Sequence, residues 1–173
     1  INLFLLMKRI FFLLQLILIS KLGLICKNKE FNIAEKHTEK IVKSYIPYNK
    51  GKMKLEVIIN DDNIDNKKSF EFIELIKKCC IFFLVYDVQN NKSVENVYYW
   101  IEVVKKIKEN TTKDLFYILA NKNDLNPGNN KLIERGKFIA DENNSMFKIV
   151  SAKSNEGIDG IIEESVDNYL SLS

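Results

Sequence analysis

With 173 residues, the chain is long enough for one domain with a hydrophobic core, and its hydrophobic (46%) and charged (28%) fractions are typical of a soluble globular protein. The net charge of +3 comes from interspersed basic and acidic residues, so no basic stripe indicates nucleic-acid binding. Three cysteines without metal-site spacing favour a reduced, cytosolic protein, and Cys79 and Cys80 are expected to be core residues rather than redox groups.

Residues 1–30 form an apolar N-terminal segment that has three interpretations. The apolar runs 3–7 and 10–19 are separated by Lys8-Arg9. The segment could be a signal peptide or anchor with these basic residues at its start, although it is short for a membrane span. It could be a distorted first, central strand, with residues 16–19 filling the sheet. It could also be mistranslated sequence that replaces the true start.

Alternating apolar residues predict a hairpin with strands over residues 39–48 and 53–59. Its turn is Asn49-Lys50-Gly51-Lys52. The acidic residues Asp61 and Asp62 follow the hairpin, and we expect them to cap a helix over residues 69–78. The alternative is that one of them approaches a metal ion.

Two longer apolar runs, over residues 81–88 (IFFLVYDV) and 115–120 (LFYILA), predict strands that are buried on both faces. The helix between them is expected to begin at an N-cap, Ser93. Its predicted core face consists of Val94, Val97, Ile101, Val104 and Ile107. We interpret the aromatic residues Tyr98, Tyr99 and Trp100 as packing residues rather than as a base-stacking platform.

The rest of the chain continues the alternation of helices and strands. A weaker helix is predicted over residues 131–143, a strand over 146–150, and a last helix from about Glu156. The whole pattern predicts a three-layer α/β/α domain, with a mostly parallel sheet, an antiparallel edge strand and helices on both faces.

The polar turn Asn121-Lys122-Asn123-Asp124 follows the second buried strand. Ligands of open α/β sheets bind just beyond the carboxyl ends of the strands, which is where this turn is placed. An aspartate there can accept two N–H groups of one flat base, and guanine offers such a neighbouring pair. Guanine is therefore the first ligand to consider.

The order of LVYDV, Trp100 in the following helix, NKND, and SAK followed by NEGI resembles the Rab branch of the Ras superfamily of small GTP-binding proteins, over residues 52–172. The resemblance implies a G domain over residues 31–173 with a P-loop GTPase-like fold. It also implies two guanine-binding loops, which we call the first base loop (residues 121–124) and the second base loop (residues 151–153). The alternative is that both are only polar turns that end strands.

In the first base loop, the resemblance implies that Asp124 accepts the guanine N1–H and 2-amino groups. Asn121 would tie the loop to its neighbours, and the alkyl stem of Lys122 would lie on the base. In the second base loop, Ala152 would offer its backbone N–H to the guanine oxygen, Ser151 would shape the turn, and Lys153 would cover the other side of the ring.

The phosphate-binding motifs of such proteins are absent from the sequence. Gly23 and Gly51 are the only glycines before residue 100, and neither belongs to a GxxxxGK[ST] motif. The stretch INDDNI over residues 59–64 lacks the glycine and glutamine of the motif that positions the attacking water. Thr38, the nearest candidate for a loop that closes over Mg²⁺, is interpreted as a solvated loop residue. No catalytic residue or metal ligand is therefore assigned, binding of GTP or GDP is expected to be weak, and Mg²⁺ binding and hydrolysis stay open.

Three functions follow from these observations. The first is a monomeric Rab-like switch in vesicle traffic, cytoplasmic or at the cytosolic face of endomembranes, with exchange factors, activating proteins and effectors as partners. The second is a degenerate pseudo-GTPase that binds proteins independently of nucleotide. The third is an exported or anchored protein that uses residues 10–19 as its address.

Overall fold

The computed structural model describes residues 8–14, 41–48, 53–61, 70–108, 114–125 and 130–172. Within these ranges the chain forms a six-stranded sheet with four α-helices. The strands are β1 (Lys8–Leu14), β2 (Ile41–Tyr48), β3 (Met53–Asp61), β4 (Ile81–Asp87), β5 (Leu115–Asn121) and β6 (Met146–Ile149). The helices are α1 (Phe70–Lys78), α2 (Asn91–Ile107), α3 (Asn130–Glu142) and α4 (Ile161–Ser171).

The strand order across the sheet is β2-β3-β1-β4-β5-β6. Only β2 runs antiparallel to its neighbour, and it lies at the edge of the sheet. The other pairs, β1 with β3 and β4, β4 with β5, and β5 with β6, are parallel. The predicted fold class is therefore confirmed, including the antiparallel edge strand.

Strand β1 lies between β3 and β4, and it begins earlier in the chain than we predicted. Lys8 and Arg9, the basic residues of the signal-peptide interpretation, lie in this strand opposite Leu55 and Glu56 of β3. The predicted strand segment 16–19, the hairpin turn, Thr38 and Asp62 lie outside the described residues. The division of the chain at residue 30 stays a prediction.

The centre of the core is built from β4 and β5, whose apolar runs are buried along almost their whole length. Neighbouring aromatic rings pair across these strands: Phe82 stacks on Phe116 with centroids 5.2 Å apart, and Phe83 lies 5.1 Å from Tyr117. Because successive residues point to opposite faces, these two pairs fill both sides of the sheet. Burial of each ring contributes about 1.5–3 kcal/mol, which explains why the run is apolar without alternation.

Helix α2 packs its predicted apolar face against this core, as the burial of Val94, Val97, Ile101 and Val104 shows. Trp100 is only 4% exposed, so its interpretation as a packing residue is confirmed, whereas Tyr98 and Tyr99 are about half exposed. Cys79 is also buried, as predicted, and Cys80 is partly buried; neither forms a disulfide.

The predicted N-cap of α2 was wrong. The helix begins at Asn91, and the N-cap is Asn90, whose side chain accepts a hydrogen bond from the backbone N–H of Ser93 at 3.3 Å. The Ser93 hydroxyl is buried and bonds to the backbone of Asp87 instead. Both residues are small and polar, so the sequence pattern did not distinguish the cap from a residue three positions later.

The start of the last helix was also predicted too early. Helix α4 begins at Ile161, because Glu156 forms an isolated β-bridge with Ser151 and the chain turns before the helix. Gly157 has a φ of 69°, and a Cβ there would lie 2.5 Å from the carbonyl oxygen of Ile149. Gly160 precedes the helix with a φ of 76°. These turns hold the segment after β6 close to the end of that strand.

Candidate functional site

The two base loops lie side by side at the carboxyl edge of the sheet. The first follows β5 directly, and the second follows β6 after Val150. The backbone N–H of Val150 donates to Ala120 at 2.8 Å, and the N–H of Asn123 donates to Val150 at 3.4 Å. Because β5 and β6 are parallel neighbours, both loops leave the sheet at the same edge.

Asn121 joins the two loops. Its side chain is only 2% exposed, and its Oδ1 accepts a hydrogen bond from the backbone N–H of Ala152 at 3.0 Å. The family resemblance implied that this N–H donates to a guanine oxygen, whereas in this structure it donates to Asn121. The guanine contact of Ala152 therefore stays a prediction, while the link between the loops is a feature of the fold.

Asp124 lies in a one-turn 3₁₀ helix, Asn123–Leu125, and faces the second base loop. Its Oδ1 accepts a hydrogen bond from the Ser151 hydroxyl at 2.6 Å. Its Oδ2 is buried and has no hydrogen-bond donor among the residues that the structure describes. The hydrogen bond from Ser151 holds the pKa of the Asp124 carboxyl below its usual range, so the side chain is an anion at neutral pH.

Ser151 orients Asp124 and shapes the second base loop. The side chain is fully buried, and its Oγ accepts the backbone N–H of Ser154 at 3.1 Å while it donates to Asp124. Its own N–H donates to Glu156 at 3.0 Å. The hydroxyl therefore acts as donor and acceptor at once, which fixes the orientation of the carboxylate.

The two lysines of the site differ in how firmly they are held. Lys122 has a φ of 69°, and its Nζ lies 2.5 Å from Oδ2 of Asp87. Lys153 is 68% exposed, and its Nζ lies 3.7 Å from Oδ2 of Asp124, too far for a hydrogen bond. Lys122 is thus fixed by a contact that Lys153 lacks.

Sequence analysis missed Asp87 as part of this site. It is the last residue of β4 and pairs in register with Asn121 of β5. The available signal was the aspartate that ends LVYD, because neighbouring parallel strands end at the same edge of the sheet. The side chain was passed over because its partner is 35 residues away in the chain.

No group of three or more metal-ligating side chains is present in the described ranges. Thr38 and Asp62 lie outside those ranges, and Asp61 is the last residue of β3. The described part of the candidate site therefore consists of the two base loops and Asp87. Of the helices in these ranges, none has the length and apolar character needed to cross a membrane.

The Ras family model matches residues 29–171 of this chain. The Ras-related protein RabJ of Dictyostelium discoideum is 35% identical over 86 residues, which are 49% of this chain and 32% of that protein. The Ras-related protein Rab-28 of Caenorhabditis elegans is 37% identical over 93 residues, which are 53% of this chain and 38% of that protein. The intraflagellar transport protein 27 homolog of Trypanosoma brucei brucei is 25% identical, over 66% of this chain and 67% of its own length. The chain thus spans about a third of the length of the first two relatives.

Proposed function

Because this chain belongs to the Ras family, we propose that it is a Rab-like small GTP-binding protein, a guanine-nucleotide switch in intracellular vesicle or membrane traffic. The names of its relatives support the proposal at this level, since two are Rab proteins and a third is an intraflagellar transport protein. Effectors and regulators are its proposed partners, and the cytosolic face of endomembranes is its proposed location.

The observation that carries the proposal is the state of the Asp124 carboxylate. Oδ1 is held by Ser151, whereas Oδ2 is buried without a hydrogen-bond donor among the described residues. A buried acceptor of this kind costs about 1–3 kcal/mol if it stays unsatisfied. An N–H group of guanine would satisfy Oδ2, and a second N–H group would find the remaining lone pair of Oδ1. The residues of the base loops therefore fit the guanine base.

The roles of the other residues follow from their places around Asp124. We propose that the stem of Lys122 lies on one side of the base and Lys153 on the other. Ala152 would share its N–H between Asn121 Oδ1, to which it donates in this structure, and the guanine oxygen, in a three-centre hydrogen bond. Asn121 and Ser151 would hold the loops in register. The bound nucleotide would supply the phosphate groups whose state distinguishes the two forms of a switch.

Base contacts alone provide limited affinity. Two hydrogen bonds to a carboxylate contribute roughly 3–6 kcal/mol, at about 1.5–3 kcal/mol each, whereas a micromolar Kd requires about 8 kcal/mol. The difference must come from the phosphates and ribose, yet the sequence contains no GxxxxGK[ST] motif. Weak nucleotide binding and slow or absent hydrolysis follow, and we assign no catalytic residue.

A second candidate function rests on that missing motif. The chain would be a degenerate relative that keeps the fold and the base loops and acts as a protein-binding module without a nucleotide cycle. Its INDDNI stretch, which lacks the glycine and glutamine that follow β3 in active relatives, also favours this alternative.

The deciding experiment is a titration of the purified protein with fluorescent GDP and GTP, with and without Mg²⁺, alongside Asp124→Asn. The amide of the variant has only one acceptor oxygen and offers a donor NH₂, so it fits the 2-carbonyl group of xanthine better than the 2-amino group of guanine. We expect the variant to lose affinity for fluorescent GDP and GTP and to gain affinity for fluorescent XDP. Asp141→Asn, the same change at an exposed position of α3, is the matched control and should bind like the wild type.

The outcomes separate the two functions. Submicromolar, Mg²⁺-dependent binding that Asp124→Asn abolishes would support the switch and imply a phosphate site outside the described residues. If the folded protein binds GDP and GTP equally well with and without Mg²⁺, or does not bind them, the switch is rejected. The nucleotide-independent protein-binding module is then favoured.

A further inference from the structure

We propose that Asp87 is a positioning residue that fixes Lys122 against the guanine base, an inference that rests on the proposed function. Asp87 Oδ2 lies 2.5 Å from Lys122 Nζ, and the two side chains are only 19% and 22% exposed, respectively. The pair lies at the end of β4 and the start of the first base loop, beside the position proposed for the base.

The backbone brings the two residues together. Asp87 is in register with Asn121 across the β4–β5 pair, and Lys122 is the next residue along the chain. Lys122 adopts the left-handed region with a φ of 69°, which residues with a Cβ rarely occupy. This conformation ends β5 abruptly, and the lysine ammonium group meets the aspartate of the neighbouring strand.

Asp87 is itself anchored from α2, so it can hold the lysine in a defined place. The Ser93 hydroxyl accepts the backbone N–H of Asp87 at 2.9 Å and lies 3.1 Å from its carbonyl oxygen. The other carboxylate oxygen, Oδ1, accepts the backbone N–H of Gln89 at 2.9 Å. The carboxylate is thus oriented before any ligand binds.

The ion pair between Asp87 and Lys122 lowers the entropic cost of binding the base. Ordering a lysine side chain costs rotamer entropy, and binding is tighter when that ordering precedes it. Lys122 is ordered by Asp87, whereas Lys153 is largely exposed and has only a 3.7 Å contact. Lys122 is therefore already in place on one side of the base before the nucleotide binds. Lys153 becomes ordered on the other side only when the nucleotide binds.

The test is a double-mutant cycle with Asp87→Asn and Lys122→Met, using the full chain and fluorescent GDP. Asparagine keeps an Oδ1 acceptor for Gln89 and removes the charge. The ion pair is partly exposed, so we expect Asp87→Asn to raise the Kd about 1.4- to 5-fold. In the Lys122→Met background the same change should leave the Kd unchanged, since Asp87 acts through the lysine.

Glu95→Gln is the matched control. It removes one negative charge from an exposed ion pair with Arg135, 3.6 Å long, on the same helix that anchors Asp87. Its Kd should equal that of the wild type. If Asp87→Asn raises the Kd equally in both backgrounds, or not at all in a wild type that binds GDP, the positioning role is wrong while the proposed function stands. If wild-type protein binds neither GDP nor GTP, the proposed function fails, and this inference fails with it.

A second measurement needs no variant and is independent of how well Asp87→Asn folds. NMR relaxation of the lysine side chains in nucleotide-free wild-type protein should show a rigid Lys122 and a mobile Lys153. Equal mobility of the two would overturn the proposal.

Discussion

Lys122 shows how a single backbone conformation defines a site. A positive φ is uncommon for residues with a Cβ, and here it occurs where the first base loop leaves the sheet. The neighbouring Asp124 depends on a different local feature, the hydroxyl of Ser151 at 2.6 Å. Lys122 and Asp124 are thus each oriented by a partner from another segment of the chain.

Replacing Ser151 with alanine should raise the pKa of Asp124. The hydrogen bond from Ser151 is the largest cause of the lowered pKa, so its removal returns the carboxyl toward its ordinary range. A carboxyl with a lowered pKa in the folded state contributes stability above its unfolded pKa of about 4, and this is lost as the pH falls through the folded value. In Ser151→Ala that contribution should shrink.

The measurement is an NMR titration of the Asp124 carboxyl carbon between about pH 2 and 6. Ser154→Ala is a suitable control, because Ser154 contributes only its backbone N–H to Ser151. An unchanged pKa in Ser151→Ala would show that the hydroxyl does not determine the charge of Asp124.

Periodicity located the helices and the strands other than β1, but the starts of α2 and α4 depended on tertiary contacts. The long apolar runs predicted the ends of β4 and β5 to within one residue. A strand that is buried on both faces contains no exposed position for a polar residue, so the apolar run has the same length as the strand. The start of α2 was ambiguous because Asn90 and Ser93 are both good caps. Helix α4 starts late because Glu156 bridges to Ser151, a contact that no local pattern encodes.

Alanine substitutions at Asn90 and Ser93 should separate the two roles. Loss of the N-cap in Asn90→Ala should lower the free energy of unfolding by about 1 kcal/mol. Ser93→Ala should cost more, roughly 1–3 kcal/mol, because it leaves the buried N–H of Asp87 without its acceptor. Urea denaturation measures both values.

Gln89→Ala serves as the control, since Gln89 is exposed and its backbone N–H, which bonds to Asp87, is retained. If Ser93 were the cap, Asn90→Ala would be close to neutral.

For the whole molecule, the family resemblance implied that the two base loops surround one base, and the parallel pairing of β5 and β6 places both loops at the same edge of the sheet. The sequence did not predict the contacts at the opposite edge, where Lys108, at the end of α2, joins two other segments, the end of α1 with the residues that follow it and the residue before β5. Its Nζ donates to the carbonyl oxygens of Lys77 and Cys79 at 3.2 and 2.6 Å and lies 3.0 Å from Oδ1 of Asp114. These contacts depend on the register of the strands and on the lengths of the connecting segments. Composition and periodicity reveal neither.

Lys108→Met should therefore lower the stability of the whole domain. The lysine and Asp114 side chains are only 11% and 8% exposed, and removing one member of a buried ion pair costs about 3 kcal/mol or more. Urea denaturation should show an earlier midpoint with an unchanged m-value. Adding Asp114→Asn should recover part of the loss.

Lys106→Met, at an exposed position of the same helix, should have little effect. A loss of equal size in both lysine variants would mean that Lys108 acts through general charge rather than through these contacts.

The contacts described for the base loops come from residues 87–156, in the second half of the chain. The hydrogen bonds from Ser151 to Asp124 and from Ala152 to Asn121 couple the two base loops. A substitution in either loop is therefore expected to alter the geometry of the other. The two loops would consequently change together in evolution, as one unit.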